Sequence, residues 1–163
     1  MAKIIGVLVL LCVLPALAMA AGRPEKKPYC VRGRVYCDPC RAGFETAAST
    51  YLEDVKVKLE CRHRRTQGIL YSADAKTDAT GSYEIFVAND QKDNICDTML
   101  VSSPHPRCKL ADPGRDRSRV VLTSNNGVVS NERYANNLGF TVEEPMSFCA
   151  QLMQQYQLTE DEV

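Results

Sequence analysis

Cysteine placement constrains this chain more than any other feature. Of the eight cysteines in 163 residues, Cys12 falls in an apolar leader. Cys30, Cys37, Cys40, Cys61, Cys96, Cys108 and Cys149 are spread over the remainder. The leader, "IIGVLVLLCVLPALAMA" after Lys3, ends in Ala18-Met19-Ala20. A positive start, an apolar middle and small residues at the end predict a secretory signal peptide over residues 1–20, cut after Ala20. Pro15 interrupts the apolar run, no stop-transfer charges follow it, and no second apolar span is present. The mature chain is therefore expected to have no membrane span. An exported domain with this many cysteines reads as a disulfide framework, and their odd number leaves one thiol over. Lys and Arg together number 20, as do Asp and Glu. A neutral chain predicts no general attraction to nucleic acid.

The rest reads as one domain. Residues 21–29 are polar and proline-containing, and are expected to form a flexible leader. The clearest strand is "VKVKLEC", residues 55–61. Val55, Val57, Leu59 and Cys61 face one way, and Lys56, Lys58 and Glu60 face the other. Residues 31–37 alternate more weakly. Tyr83, Ile85 and Val87 alternate after the turn residues Asp78 and Gly81. Residues 96–102, 119–123 and 138–142 are further strands. "RCKLADPGRDRSR" reads as a loop, and "SNNGVVSNERYANN" contains the Asn-Gly turn signal. After Pro145, the residues Phe148, Leu152 and Tyr156 recur at i, i+4 and i+8, which predicts a terminal helix. Residues 158–163 form an acidic tail. The expected fold is all-β: an antiparallel sandwich or barrel of about seven strands over residues 30–157, with a short C-terminal helix.

Three chemistries could use Cys37-Asp38-Pro39-Cys40. A thioredoxin-like dithiol matches the strand before the pair, but that fold needs a helix directly after it. "RAGFETAAST" is a poor helix start. A zinc site needs four ligands, and His63 and His105 lie far away in sequence. The third reading is structural: Pro39 fixes its own φ and holds Asp38 extended. Cys40 then leaves the strand in a new direction and the two sulfurs reach different partners. The physics favours this reading.

"GRVYCDPCRAGFET" closely resembles the signature of the Ole e 1-like family, named for the major olive pollen allergen. "VKVKLEC", "TDATGSYEI", "NICDTMLVSSP", "RCK", "NNLGF" and the cysteine before the C-terminal helix extend the resemblance from about Tyr29 to Tyr156. The resemblance implies three disulfides, Cys37–Cys108, Cys40–Cys149 and Cys61–Cys96. It also implies a secreted, non-enzymatic pollen or anther protein acting in hydration, germination or tube growth. A receptor-kinase ectodomain is the implied partner, and IgE recognises allergenic members. Two features depart from the pattern. Cys30 is extra, and is expected to be free, capped or the link of a disulfide dimer. Many relatives carry an N-glycan at the turn that here reads Asn126-Gly127-Val128; Val128 removes the sequon, and an unglycosylated protein is expected.

No Gly-x-Ser-x-Gly elbow, His-Glu-x-x-His pair or phosphate-binding glycine loop is present, and no cofactor or metal is expected. Asp38 reads as a turn residue accepting backbone hydrogen bonds, and His105, between two prolines, as an exposed and idle side chain. Two basic stretches stand out: Arg62, Arg64 and Arg65 after the "VKVKLEC" strand, and Arg115, Arg117 and Arg119 further on. Together they could bind an anionic partner such as a cell-wall polysaccharide, although such runs are more often solvated surface.

Overall fold

The computed structural model describes residues 27–124 and 126–160. The predicted signal peptide, residues 21–26 of the leader and residues 161–163 of the tail lie outside the described residues. The elements in chain order are β1 (Tyr29–Asp38), β2 (Thr50–Tyr51), β3 (Lys56–Arg62), β4 (Ile69–Lys76), β5 (Ser82–Val87), β6 (Ile95–Ser102), β7 (Leu110–Ala111), β8 (Arg117–Val120), β9 (Glu132–Tyr134), β10 (Leu138–Thr141) and α1 (Cys149–Glu160).

Two sheets pack face to face as a sandwich. One has the order β4-β3-β6-β8, antiparallel throughout. The other is organised around β1. The first half of β1 pairs with β5 (Val31 opposite Ile85) and with β9 (Val31 beside Arg133). Its second half pairs with β2 and β10, and β7 completes the edge of β10. The β9 and β10 pairings are parallel, so the sandwich is not purely antiparallel. β9 arrives from β8 of the other sheet and β10 follows it after residues 135–137, so no tight hairpin with β1 dictates their direction.

Alternation in β1 sends Val31, Val35 and Cys37 to the core, where they meet Val57, Leu59, Ile85, Val87, Leu138 and Phe140. Cys30, Arg32, Arg34, Tyr36 and Asp38 project from the other face. Residue 33 has to be glycine. Its partner across the ladder is Tyr83, and a Cβ at this position would sit 2.4–2.9 Å from the Tyr83 ring and hydroxyl. The ring lies flat over the glycine, and its hydroxyl bonds Thr98 Oγ1 at 3.1 Å in the core. Burial pushes the Tyr83 hydroxyl up to about 12, so it remains a donor at all ordinary pH values.

Four strands were not evident in the sequence. β4 is an edge strand with no fully buried residue, and its core-facing set, Tyr71, Ala73 and Ala75, is a weak signal because two of the three are alanines. β2, β7 and β9 hold two or three residues each, too few for a pattern. Strand β1 already begins at Tyr29, so the leader ends earlier than expected. Helix α1 begins at Cys149, four residues after Pro145, and continues through residues 158–160 of the supposed tail. Arg133 is buried and fastens the segment before it. Its guanidinium donates to the carbonyls of Val121 (2.9 Å), Thr123 (3.3 Å), Glu132 and Ser130 and lies over the Tyr29 ring.

Gly33→Ala is expected to lower the free energy of unfolding by about 1–3 kcal/mol through overpacking against Tyr83. Urea denaturation of the two proteins checks this. An unchanged midpoint means the ring does not occupy the glycine's space.

Candidate functional site

The Cys37–Cys40 corner is built by a single carboxylate. Asp38 is fully buried. One of its oxygens accepts the Cys40 N–H at 3.0 Å and the other the Gly43 N–H at 2.9 Å, while its carbonyl accepts the Thr141 hydroxyl at 3.0 Å. This closes a tight turn that sends the two sulfurs apart. Cys37, on the core face, is bonded to Cys108, and Cys40, beyond the turn, is bonded to Cys149 at the start of α1. Cys61 and Cys96 face each other across β3 and β6 and form the third bond. A dithiol redox centre would need Cys37 and Cys40 joined to each other or both free, and they are neither.

The turn leads into residues 41–49, which are held from several sides. Arg41 donates to the carbonyls of Val142 and Glu143, Arg115 Nε to that of Gly43 at 2.8 Å, and the Ala47 N–H to Tyr156 Oη of α1. The Phe44 and Tyr156 rings meet edge to face at 5.4 Å. All four residues of β10 are buried: Leu138 and Phe140 lie in the core, Gly139 lies under Tyr36 and Arg115, and Thr141 bonds the Asp38 carbonyl.

A groove of about 490 Å³ lies beside the loop of residues 41–49, lined by Tyr36, Phe44, Glu45, Arg115, Asn136 and Asn137. Tyr36 is only 2% exposed and lies across Gly139, its neighbour on β10. A Cβ at 139 would come within 2.9 Å of the tyrosine hydroxyl. Burial, with nearby carboxylates, pushes that hydroxyl up to about 12 against the pull of Arg115. Asn137 Nδ2 donates to Glu45 Oε2 at 2.7 Å. Close by, Asp112 has a buried Oδ2 without a hydrogen-bond partner. Burial first, then the Asp38 carboxylate, hold its pKa above the ordinary carboxyl value.

The two basic stretches meet only in part: Arg64 and Arg119 line one surface groove with Lys92 and Asp93. Arg62 belongs to the row of Ile95, whereas Arg117 belongs to that of Met99, four residues or about 13 Å along the sheet. Several of these charges are already matched: Arg62 pairs with Glu60 at 2.6 Å, Arg117 with Asp116 at 3.2 Å and Arg119 with Asp97 at 2.5 Å. Arg64 bonds the Asp93 carbonyl, and Arg65 projects from the turn beside it. Neighbouring acids thus offset Arg62, Arg117 and Arg119. Arg115 lines a separate groove, with Tyr36, Phe44 and Glu45.

Cys30 is a free thiol at 8% exposure, inside β1 between Phe86 and Glu132. Its sulfur lies against the Arg32 guanidinium, which also pairs with Glu84 and Glu132. Enclosed in this row, the sulfur would have to be uncovered before it could link two chains. His105 is not idle: its Nδ1 accepts the N–H groups of Arg107 (3.3 Å) and Cys108 (3.0 Å), shaping the loop that presents Cys108. His63 Nδ1 does the same for Arg65 and Thr66.

Taken together, these features define a disulfide-fastened two-sheet β-sandwich whose paired cysteines are structural anchors. Among the described residues no cluster of histidine, cysteine and carboxylate side chains is set to hold a metal, and no helix is long and apolar enough to cross a membrane. The chain belongs to the family described as pollen protein Ole e 1 like, which it matches over residues 27–157. It is 40% identical to pollen-specific protein C13 of Zea mays over 157 residues, covering 96% of this chain and 92% of that protein. It is 42% identical to pollen allergen Phl p 11 of Phleum pratense (82% and 95% covered). With anther-specific protein LAT52 of Solanum lycopersicum it shares 37% identity (94% of each chain). The crystal structure of the major plantain pollen allergen Pla l 1 superposes with a TM-score of 0.64 at 26% identity, covering 73% of this chain and 97% of that one.

Asp38→Asn keeps the shape but leaves one of the two backbone N–H groups facing a second donor. The expected cost is about 1–3 kcal/mol, read by chemical denaturation, and equal stability would show that the turn does not depend on the second oxygen. Asp112 behaves in the opposite sense. It holds its proton more tightly folded than unfolded, so its ionisation costs stability at neutral pH, and that cost fades as pH falls through the carboxylate range. Asp112→Asn should raise Tm at pH 7, with the gain shrinking toward pH of about 4. A gain that is constant with pH, or a loss at pH 7, contradicts this.

Proposed function

We propose that the chain is a secreted, non-enzymatic protein of the pollen or anther extracellular matrix that acts by binding. The reading rests above all on the separate disulfides of Cys37 and Cys40, which remove the reactive pair that the sequence offers, in a chain whose relatives are named as pollen and anther proteins. Residues 1–20 direct export, cleavage follows Ala20, and the oxidised cysteines suit the compartment beyond. The role is in pollen hydration, germination or tube growth through an extracellular partner, either a receptor-kinase ectodomain or a wall polysaccharide. Relatives named as allergens support IgE recognition of the exposed loops.

Pollen lacking the protein should hydrate or germinate poorly or extend short tubes. The full chain should restore growth, and a chain without residues 1–20 should not. Normal germination and tube length without the protein would overturn the role, and rescue by the leaderless chain would overturn secretion. An insulin-reduction assay should show no turnover; turnover lost in Cys40→Ser would make the protein an oxidoreductase.

A further inference from the structure

The groove beside the Cys37–Cys40 corner has the make-up of a ligand site rather than a gap between loops. Its floor is the Tyr36 hydroxyl, on a side chain that is otherwise buried. That hydroxyl has no hydrogen-bond partner among the described residues, and the groove is where it emerges. A buried tyrosine ordinarily satisfies its hydroxyl, as Tyr83 does on Thr98. The arrangement also depends on Gly139, since any larger residue would displace the ring.

The walls add directed chemistry. Arg115 is fixed through Nε to the Gly43 carbonyl, so its two Nη nitrogens are held at the rim in the fork that suits a carboxylate. The Asn137 amide is oriented by Glu45, which leaves its carbonyl oxygen as an acceptor. Asn136 is exposed beside it, and Phe44 supplies a partly buried ring that Tyr156 holds in place. A ring face, amide and hydroxyl groups and one guanidinium, in a volume typical of small-molecule sites, fit a hydroxyl-rich ring that carries a single acid. A phosphate ligand fits poorly, because there is one cation and no glycine-rich cradle. A purely apolar ligand would strand the Tyr36 hydroxyl.

We infer that the groove lined by Tyr36, Phe44, Glu45, Arg115, Asn136 and Asn137 binds a uronate-bearing oligosaccharide. The carboxylate sits on Arg115 and the sugar hydroxyls on Tyr36 and the two asparagines. The assignment rests on the binding role proposed above and gives that role a ligand class.

The test is a titration of the isotope-labelled, disulfide-intact protein with digalacturonate, following backbone amide signals, with the neutral disaccharide of the same linkage as control. Digalacturonate should shift the amides of Phe44, Glu45, Asn136 and Asn137, and the neutral sugar should bind more weakly. Tyr36→Phe should weaken binding about three- to tenfold without lowering Tm, because the hydroxyl supports no contact within the protein. Arg115→Gln should weaken it about ten- to hundredfold and abolish the preference for the acid. Absence of shifts at millimolar sugar, equal affinity for the neutral disaccharide, or full affinity in Tyr36→Phe would each overturn the assignment. The purified protein is blind to compartment and to pollen growth, so failure here leaves the secreted role to stand or fall on the germination experiment.

Discussion

Hydrogen bonding along both edges of β1 holds the larger sheet together. This strand of ten residues has different neighbours in its two halves, and four other strands are ordered by pairing with it. Such a strand must satisfy both faces as well as both edges. Tyr83 lies on Gly33 toward the core, and Tyr36 lies on Gly139 away from it. Each contact replaces a missing side chain with an aromatic ring from the adjacent strand, which recovers burial that glycine alone would forfeit in a sheet. The first contact closes the interior, whereas the second leaves a hydroxyl at the floor of a surface groove. The same packing device thus yields structure on one side of the sheet and a candidate site on the other.

The disulfides extend that frame to the periphery. Their sequence separations are 71, 109 and 35 residues, for which chain-entropy arguments give about 4 kcal/mol each, less than additively because the loops overlap. Two of them start within the Asp38 turn. The carboxylate, by accepting two backbone N–H groups, determines where both sulfurs point. The helix is fixed at one end through Cys149 and further along through Tyr156, whose ring and hydroxyl both engage the loop at residues 44–47.

Strands with strict alternation were legible in the sequence: "VKVKLEC" and "SYEIFV" carry the core-facing pattern in full. So was the turn role of Asp38, because an acid before Pro at a strand end has few other uses. Strand β4 was hard to read, since its core-facing set, Tyr71, Ala73 and Ala75, is small and only partly buried. The parallel partners of β1 were equally hidden, because direction is decided by where the chain returns. The groove escaped notice for a related reason. Tyr36, Phe44, Arg115 and Asn136 stand far apart in sequence, and no spacing rule links them. The basic runs could be weighed only in the structure: Arg119 is offset by Asp97 on the neighbouring strand, whereas Arg62 and Arg117 pair with Glu60 and Asp116 close by in sequence. Cys30 looked exposed because it follows a polar leader, yet the first turn of sequence after that leader is already the central strand.

The order in which the anchors appear along the chain has a kinetic consequence. Cys37 and Cys40 precede their partners by 71 and 109 residues, Cys30 has none, and Cys149 follows the last strand. In an oxidising compartment the three early thiols can react with one another well before Cys108 and Cys149 are in place. The β1–β10 pairing that brings those late cysteines home is itself a long-range contact, and so slow to form. Enclosing the Cys30 sulfur between β5 and β9 withdraws the surplus thiol from exchange once the sheet has formed. Until then, correct bonding must compete with three neighbouring nucleophiles, and maturation of this protein should be limited by thiol–disulfide exchange.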